Sequence, residues 1–430
     1  MRNTGYRILA EGQTVSSDTW ATGLNNNDVI IGPSGAGKTR GYVKPNLLQG
    51  SESMLITDPK GSLRQEVGPV LERSGYRVRE IDLADCLASP WGYNPLDYVR
   101  HDDRRDAYRE QDIMTIAACL VPLSSHEQFW DLSARMLLEA LIGYTLECLP
   151  DEEHDLHTVS RLLQEMGGKS FDYLFEELAQ IAPGCFPVSR YRMFRLAKNA
   201  DKMFSSILGI LAANLSPYTF DGARALFQNP QKIRFPDLGR EKTAVFLTVS
   251  DTDRSLDGLA NLFYTQALQS LCAAADKSPG HRLAVPVRFI LDDFAANTCI
   301  LDFDKTVSVV RSREISVSVI LQSLSQLEAL YGHAKALTIL NNCDHFLYLG
   351  GQDVETATFV SKKANRPVSD ILNMPLDSAW LFTRGIPPRQ VRKFKLESHP
   401  RYRELPESRC DGKWKDLPET ELLPDAQLTA

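Results

Sequence analysis

The sequence predicts an α/β fold whose mainly parallel central sheet is built from two parts of the chain, with an all-α domain inserted between them. Three observations indicate this class. Short apolar stretches typical of strands alternate with helical stretches over residues 29–96. The same alternation resumes after residue 230, and the residues between are rich in Leu, Met and Ala at helical spacing. Strands that alternate with helices at such intervals form parallel sheets.

Four segments follow from this pattern. Residues 1–102 are expected to form the first part of the α/β domain, residues 103–229 the all-α insertion, residues 230–403 the second part of the α/β domain, and residues 404–430 a loosely held tail. The first part contains the strand-like stretches DVII, SMLIT and YRVREID. The second part contains TAVFLTVS, a helix over residues 256–275, and the strand-like stretches VRFIL, SVSVIL and DHFLYL.

Composition places the chain among globular proteins and excludes several other classes. Of its 430 residues, 43% are hydrophobic, which suffices for sizeable cores and excludes general disorder. The formal net charge of −7 argues against a protein that coats nucleic acid with its whole surface. The longest apolar runs fall short of the ~20 residues that a membrane span needs, and the N-terminus lacks a secretory signal pattern. We therefore expect a cytoplasmic protein.

A phosphate-binding loop is predicted at residues 32–39, where GPSGAGKT matches GxxxxGK[ST] in full between an apolar strand and a helix. Backbone N–H groups of such a loop surround phosphate oxygens. Lys38 would reach the β- and γ-phosphates, and the Thr39 hydroxyl would bind Mg²⁺. The cofactors expected are therefore ATP and Mg²⁺. The nucleotide-binding residues predicted here are Gly32, Pro33, Ser34, Gly35, Ala36, Gly37, Lys38, Thr39 and Arg40.

An acidic strand end is the second part of this site. VRFILDD, at residues 287–293, is a mostly apolar strand that ends in two carboxylates. We expect Asp292 to bind Mg²⁺ and Asp293 to orient the attacking water. The alternative is an Asp-rich turn that caps the following helix.

Asp58 and Lys60 follow another predicted strand, within the sequence DPK. Both residues would lie near the phosphates, where Lys60 could contact nucleotide or a neighbouring subunit. A plain turn is an equally good interpretation, because Asp-Pro favours turns. The eight cysteines form no CxxC pair, so the sequence gives no zinc or dithiol site.

With their surroundings, these motifs make the sequence resemble the coupling ATPases of conjugative type IV secretion systems, the TraG/TraD type. The resemblance spans nearly the whole chain in order, and its most specific block is RSREISVSVILQSLSQLEALYG. The matching stretches are GPSGAGKTRGYVKPNLLQ, ITDPKGSL, YNPLDYV, FWDLSARMLLEALI, LDDFAANTCILDFDKTVSVVRSREISVSVILQSLSQLEALYG, NNCDHFLYLGGQDVETA and RGIPPRQVRKFK.

The resemblance implies a RecA-like P-loop NTPase domain, an inserted all-α domain, and a homo-hexameric ring that moves DNA through a central channel. It also implies two further catalytic residues. Gln322, at the end of SVSVILQ, lies where the family senses the γ-phosphate. The alternative interpretation of Gln322 is an ordinary polar residue at the end of a strand. Arg311 matches a proposed arginine finger that reaches the nucleotide of the neighbouring subunit, and its alternative is a solvated or Glu-paired arginine.

Two departures from the family affect these expectations. Members commonly begin with membrane helices, which this sequence lacks, so the chain would reach the inner face of the membrane through a partner or an N-terminal anchor that is missing. Many relatives of this architecture carry Glu where Asp293 stands, and the shorter side chain puts efficient hydrolysis in doubt.

Two basic segments are candidate DNA contacts, although such segments are more often solvated surfaces. Residues 388–403 hold six Lys or Arg against one Glu, and residues 190–202 hold five, interleaved with Tyr191 and Phe194. Residues 151–180 are acidic and suit basic substrate proteins or simple solubility. The leading hypothesis is a DNA-stimulated ATPase that couples relaxase-bound single-stranded DNA to the channel components of a type IV secretion system. The alternatives are a recruitment adaptor with a structural ATP site and an FtsK-like DNA pump.

Overall fold

The computed structural model describes residues 5–124, 128–165, 169–196, 201–294 and 299–409. Its strands form one large sheet and two small hairpins. The strands are β1 (Tyr6–Ala10), β2 (Gln13–Ser16), β3 (Asp28–Ile31), β4 (Ser53–Asp58), β5 (Arg77–Asp82), β6 (His101–Asp102), β7 (Ala107–Tyr108), β8 (Thr243–Thr248), β9 (Val287–Leu291), β10 (Ile315–Leu321), β11 (His345–Tyr348), β12 (Ser378–Thr383) and β13 (Ile386–Arg392).

The α-helices fall into those that cover the large sheet and a group between β7 and β8. They are α1 (Thr19–Thr22), α2 (Lys44–Gln49), α3 (Ser62–Arg73), α4 (Glu110–Leu120), α5 (Gln128–Cys148), α6 (Leu156–Glu165), α7 (Lys169–Ile181), α8 (Phe186–Leu196), α9 (Asp201–Leu215), α10 (Asp221–Gln228), α11 (Phe235–Leu238), α12 (Asp257–Lys277), α13 (Phe303–Val309), α14 (Leu324–Tyr331), α15 (His333–Asn341), α16 (Val354–Ala364) and α17 (Val368–Leu372). Within the described ranges, no helix is both long and apolar enough to span a bilayer.

The large sheet has nine strands in the order β13-β12-β11-β3-β10-β9-β4-β8-β5. The seven strands from β11 to β5 pair in parallel, and β12 and β13 extend the sheet by antiparallel pairing. This confirms the predicted α/β class with a mainly parallel sheet. Strand β10 lies directly between β3 and β9, so the chain segments that follow these three strands meet at one edge of the sheet.

Alternate residues of the parallel strands bury their side chains on opposite faces of the sheet. Val29 and Ile31 pack into one hydrophobic cluster, and Ile30 packs into the other. The first cluster continues into the helices between β7 and β8, where α5 packs against α4, α6, α8 and α9. The helical segment and the sheet therefore share one continuous core, and the boundaries at 103 and 229 stay a prediction.

Buried charges on β1, β3 and β9, and on the residue before β4, meet at the end of the sheet where β3 begins. The Asp28 carboxylate accepts hydrogen bonds from Arg7 Nε at 2.9 Å, Arg288 Nη1 at 3.4 Å and the Tyr42 hydroxyl at 2.6 Å. Arg288 also pairs with Glu52, and all these side chains are buried. Burial alone would raise the pKa of Asp28, but the guanidinium groups of Arg7 and Arg288 hold that pKa below its usual value.

Asp28→Ala is expected to lower the free energy of unfolding by about 3–5 kcal/mol, because it leaves buried guanidinium charges without their carboxylate. Asp276→Ala is a suitable control, since Asp276 forms a bidentate pair with Arg313 at the surface. A surface pair contributes about 0–1 kcal/mol. Urea unfolding of both variants measures the two values, and equal losses would contradict the expected role of Asp28.

Candidate functional site

The predicted phosphate-binding loop connects β3 to a short π-helix, Thr39–Val43, which continues into α2. A Cβ atom at position 32 would lie 2.9 Å from the Cβ atoms of Ala36 and Leu349, so only glycine fits there. Gly37 has a φ of +93°, which also favours glycine. The loop thus has the tight backbone that the motif requires.

The Lys38 side chain is folded over the loop that carries it. Its ammonium group donates to the carbonyl oxygens of Gly32 at 2.8 Å and Pro33 at 3.2 Å, and it lies 3.8 Å from an Asp293 carboxylate oxygen. Lys38 is 8% exposed, whereas Pro33, Ser34 and the adjoining Gly35 are exposed. A buried ammonium group therefore lies beside an open loop, in the place where phosphate oxygens would replace its carbonyl partners.

Thr39 and Asp292 meet across the edge of the sheet. The Thr39 hydroxyl donates to Asp292 Oδ2 at 3.1 Å. Asp292 is 4% exposed. Burial, together with repulsion from the Asp293 carboxylate, raises the pKa of Asp292 to about 6. A hydroxyl and a carboxylate that face each other in this way fit a divalent cation, which would relieve both causes of the raised pKa.

Asp292→Asn is expected to stabilise the nucleotide-free, Mg²⁺-free protein by about 1–3 kcal/mol at pH 7.5, because it removes a disfavoured buried charge. The pKa of Asp292 is above its unfolded value of 3.8, so the native state loses stability as the pH rises through this range. The difference between variant and wild type should shrink at pH 5, where the native carboxyl is protonated. Thermal unfolding at both pH values tests this, and a pH-independent difference would contradict it.

Asp293 and Gln322 form the second polar pair at this edge. Asp293 adopts a left-handed backbone conformation, with a φ of +49°, and its side chain is about one third exposed. Gln322 directly follows β10 and places its Nε2 atom 3.5 Å from Asp293 Oδ1. Gln326, in the first turn of α14, donates to the Gln322 Oε1 atom at 3.5 Å. The structure thus brings together two predicted residues that are 29 positions apart.

Asp58 and Lys60 lie in the same pocket as the phosphate-binding loop. The pocket has a volume of about 470 Å³, and Lys38, Thr39 and Asp292 also line it. The Asp58 carboxylate accepts a hydrogen bond from the Arg64 backbone N–H at 2.9 Å, so it also caps the start of α3. Burial raises the pKa of Asp58. Asp58 therefore both lines the pocket and lies in the turn that leads into α3, so a contact with nucleotide stays a prediction.

Arg311 is not in this pocket. It begins a short 3₁₀ helix, Arg311–Arg313, that precedes β10, whereas Gln322 follows the same strand. The Arg311 side chain is exposed and donates to the Thr19 carbonyl oxygen at 3.0 Å, while Arg313 pairs with Asp276. In its own chain, Arg311 therefore lies at the opposite end of the central strand from the phosphate-binding loop.

The motifs did not point to a C-terminal contribution to the site. Lys393, just after β13, donates to the Ala36 carbonyl oxygen of the phosphate-binding loop at 3.0 Å, and burial lowers the pKa of its ammonium group. Arg40 pairs with both Glu397 and Glu407. Basic residues in the RGIPPRQVRKFK block were the available signal, but nothing local links them to the loop.

The first basic segment, residues 190–202, is partly buried in the structure. Tyr191 and Phe194 are buried, with Tyr191 stacked on Phe175, so these aromatic rings are not available for stacking on bases. Arg190 pairs with Glu139 at 3.0 Å, and residues 197–200 lie outside the described part of the chain.

In the second basic segment, residues 388–403, some basic side chains bind other parts of the chain and others are exposed. Arg401 donates to the carbonyl oxygens of Leu48 and Val70, at 3.1 Å and 3.2 Å, whereas Arg389 and Arg392 on β13 are exposed. Beyond it, Leu405 is buried in the hydrophobic cluster around Ile30. Of the predicted tail, residues 410–430 lie outside the described part of the chain.

Relatives of known name match most of this chain. VirD4 of Rhizobium rhizogenes is 26% identical over 415 residues, which cover 90% of this chain and 58% of VirD4. VirD4 of Rhizobium radiobacter is 25% identical over 382 residues, which cover 85% of this chain and 52% of that protein. The chain spans about half the length of the curated relatives it matches.

Solved structures of the plasmid coupling protein TrwB share the fold. The TrwB complex with a non-hydrolysable ATP analogue has a TM-score of 0.65 at 16% identity and covers 92% of this chain and 94% of TrwB. The complex with ADP and Mg²⁺ has a TM-score of 0.62 at 17% identity and covers 86% and 85% of the two chains. These matches show that the chain has the fold of TrwB, in agreement with the mainly parallel α/β class predicted from the sequence.

A family model described as "Type IV secretory system Conjugative DNA transfer" matches residues 3–365. This range contains the phosphate-binding loop, the Asp292–Asp293 pair, Arg311 and Gln322. The resemblance noted from the motifs is thereby confirmed over more than half of the sequence. The chain belongs to the type IV secretory system family of conjugative DNA-transfer proteins.

Proposed function

We propose that this chain is the ATP-hydrolysing motor of a coupling protein, which recruits relaxase-bound single-stranded DNA and drives its transfer through a type IV secretion channel. The contact between Thr39 and Asp292 carries the proposal. It joins the end of the phosphate-binding loop to an acidic strand end within a pocket of about 470 Å³ that also holds Lys38. This is the arrangement in which P-loop NTPases hold a nucleotide with its metal ion.

Binding of ATP would exchange contacts that the loop now makes with itself. Lys38 would leave the Gly32 and Pro33 carbonyls for the β- and γ-phosphate oxygens, while loop N–H groups surround the phosphates. Thr39 and Asp292 would hold Mg²⁺, which neutralises charge on the β- and γ-phosphates. The TrwB complexes with ADP and Mg²⁺ and with an ATP analogue support this assignment.

Hydrolysis needs a water molecule placed in line with the γ-phosphate. Asp293 lines the pocket, and the Gln322 amide lies 3.5 Å from its carboxylate, so the Gln322 amide can orient the water while the Asp293 carboxylate accepts its proton. The bond from the γ-phosphorus to the bridging oxygen then breaks, and ADP keeps that oxygen. Water attack supplies the new phosphate oxygen.

A homo-hexameric ring is the assembly we propose for the active protein. Arg311 is exposed and lies at the far end of β10 from the phosphate-binding loop, which supports a role at a neighbouring subunit's nucleotide rather than at its own. In this proposal the DNA strand passes through the ring, and the ring works at the inner face of the cell membrane with other secretion components. The inserted domain, predicted at residues 103–229, is proposed to face the substrate proteins.

ATP turnover by the wild-type chain tests the proposal directly. We expect Mg²⁺-dependent hydrolysis that rises when single-stranded DNA is added, because DNA organises the ring that completes each site. Chelation of Mg²⁺ should stop turnover both with and without single-stranded DNA. Absence of hydrolysis under every assembly condition, with basic relaxase proteins still bound, would favour the recruitment adaptor instead.

A further inference from the structure

A second pocket lies away from the nucleotide site and is the larger of the two. Its volume is about 630 Å³, and none of its lining residues lines the pocket of Lys38 and Asp292. It lies between the last turns of α12, the loop before β8 and the loop before β9. These loops precede parallel strands, so the pocket lies near the opposite edge of the sheet from the phosphate-binding loop.

The rim of this second pocket is strongly basic. The cationic side chains that line it are Arg100, Lys232, Arg234, Arg240 and Lys277. Two of them are neutralised locally, since Lys232 pairs with Asp97 and Arg100 pairs with Asp112. Within the described residues, the other three make no ion pair. Asp97 is the only acidic residue among those that line the pocket.

The floor of the pocket is apolar and includes an aromatic ring. Ile233, Pro236, Leu283 and two alanines of α12 line it, beside the half-buried Tyr98. The Tyr98 hydroxyl donates to the Ile233 carbonyl oxygen, which fixes the ring. Pockets of this volume that combine an apolar floor with a few polar groups are typical of small-ligand sites.

We propose that the second pocket binds a phosphate-bearing nucleotide unit, with the phosphate on Arg234, Arg240 and Lys277 and the base on the apolar floor. Unpaired Arg and Lys side chains bind phosphate by charge, and bases pack on apolar and aromatic surfaces with little sequence preference. The unit is part of single-stranded DNA or a free nucleotide. The first source rests on the proposed function, and it would give the net negative chain a local DNA contact.

A measurement of DNA binding in the absence of ATP separates this proposal from the motor function. Fluorescence anisotropy of a labelled oligo-dT is measured against salt for the wild type and for a double variant, Arg240→Ala with Lys277→Ala. Loss of two phosphate contacts should make the slope of log affinity against log salt less steep by about 1.4. Basal ATP turnover without DNA should stay unchanged, since neither residue lies in the nucleotide pocket.

The matched control is Lys362→Ala with Arg366→Ala. It removes the same charge, and Lys362 lies in the last turn of a helix, as Lys277 does, but neither control residue lines the pocket. The control should keep the wild-type slope. If both double variants change the slope equally, DNA binding follows net charge and the proposed site is wrong.

Calorimetric titration with ADP distinguishes the free nucleotide from DNA. The pocket is assigned to DNA if the wild type and the Arg240→Ala, Lys277→Ala variant each bind one ADP per chain and the oligo-dT slope changes in that variant but not in the control. Two sites in the wild type and one in the Arg240→Ala, Lys277→Ala variant assign it to a free nucleotide. Unchanged oligo-dT slope and unchanged ADP stoichiometry in that variant would overturn the proposal, whether or not the wild type hydrolyses ATP.

Discussion

Replacement of Lys38 by alanine is expected to lower ATP turnover at least about 10³-fold. Its ammonium group is a buried cation within the phosphate-binding loop, and it would stabilise negative charge that develops on the transferred phosphate. The carbonyl groups of Gly32 and Pro33, now capped by Lys38, would also be left facing the phosphates. Steady-state hydrolysis with single-stranded DNA measures the loss.

Lys60→Ala is the matched control for Lys38→Ala. Lys60 lines the same pocket and carries the same charge, but it follows β4 outside the loop. Its loss should change turnover less than about tenfold and act mainly through KM, because it adds positive potential without a position on the γ-phosphate. Equal losses in the two variants would show that the pocket needs positive charge rather than a lysine in the phosphate-binding loop.

Replacement of Arg311 by alanine is expected to lower turnover about 10³–10⁵-fold, the range for a missing arginine finger, without weakening nucleotide binding. The reason is its position, since it lies at the other end of β10 from Gln322 and is not among the residues that line the nucleotide pocket of its own chain. Fluorescent-nucleotide binding and steady-state hydrolysis separate the two effects.

Mixing of two inactive variants tests whether Arg311 acts between subunits. An Arg311→Ala subunit retains an intact pocket, and a Lys38→Ala subunit retains its arginine, so mixed rings should regain part of the turnover. Arg313→Ala is the control, because Arg313 makes a bidentate pair with Asp276 in its own chain and should retain most activity. Failure of the mixture to recover activity, in rings shown to contain both variants, would exclude action in trans.

The residues that meet in the proposed nucleotide pocket were largely predictable, because they stand at strand ends. Lys38 and Asp292 follow apolar strands in recognisable patterns, and parallel strands bring such ends to one edge. Sequence did not show that β10 lies between β3 and β9, which is what places Gln322 beside Asp293. That proximity depends on strand order, which follows from pairing across the whole sheet rather than from any local pattern.

Contacts between distant segments account for most of what the sequence did not predict. Glu407 pairs with Arg40 across 367 positions. Arg288 stands within an otherwise apolar strand, and only the structure shows the carboxylates that let it be buried there. The burial of aromatic rings in the basic segment at 190–202 likewise depends on tertiary packing, because helical periodicity alone does not predict that Tyr191 faces the core.

The position of β3 between β10 and β11 has a consequence for biosynthesis. Both neighbours of this strand are made late, since Asp28 pairs with Ser318 and His345. Roughly 290 residues separate Asp28 from Ser318, the first of its two partners to be synthesised. At a translation rate of about 5–20 residues per second, this separation is a delay of roughly 15–60 s on the ribosome. The nascent strand and its loop stay without their native neighbours over this time, so chaperone protection during synthesis would matter more here than for a sheet built in chain order.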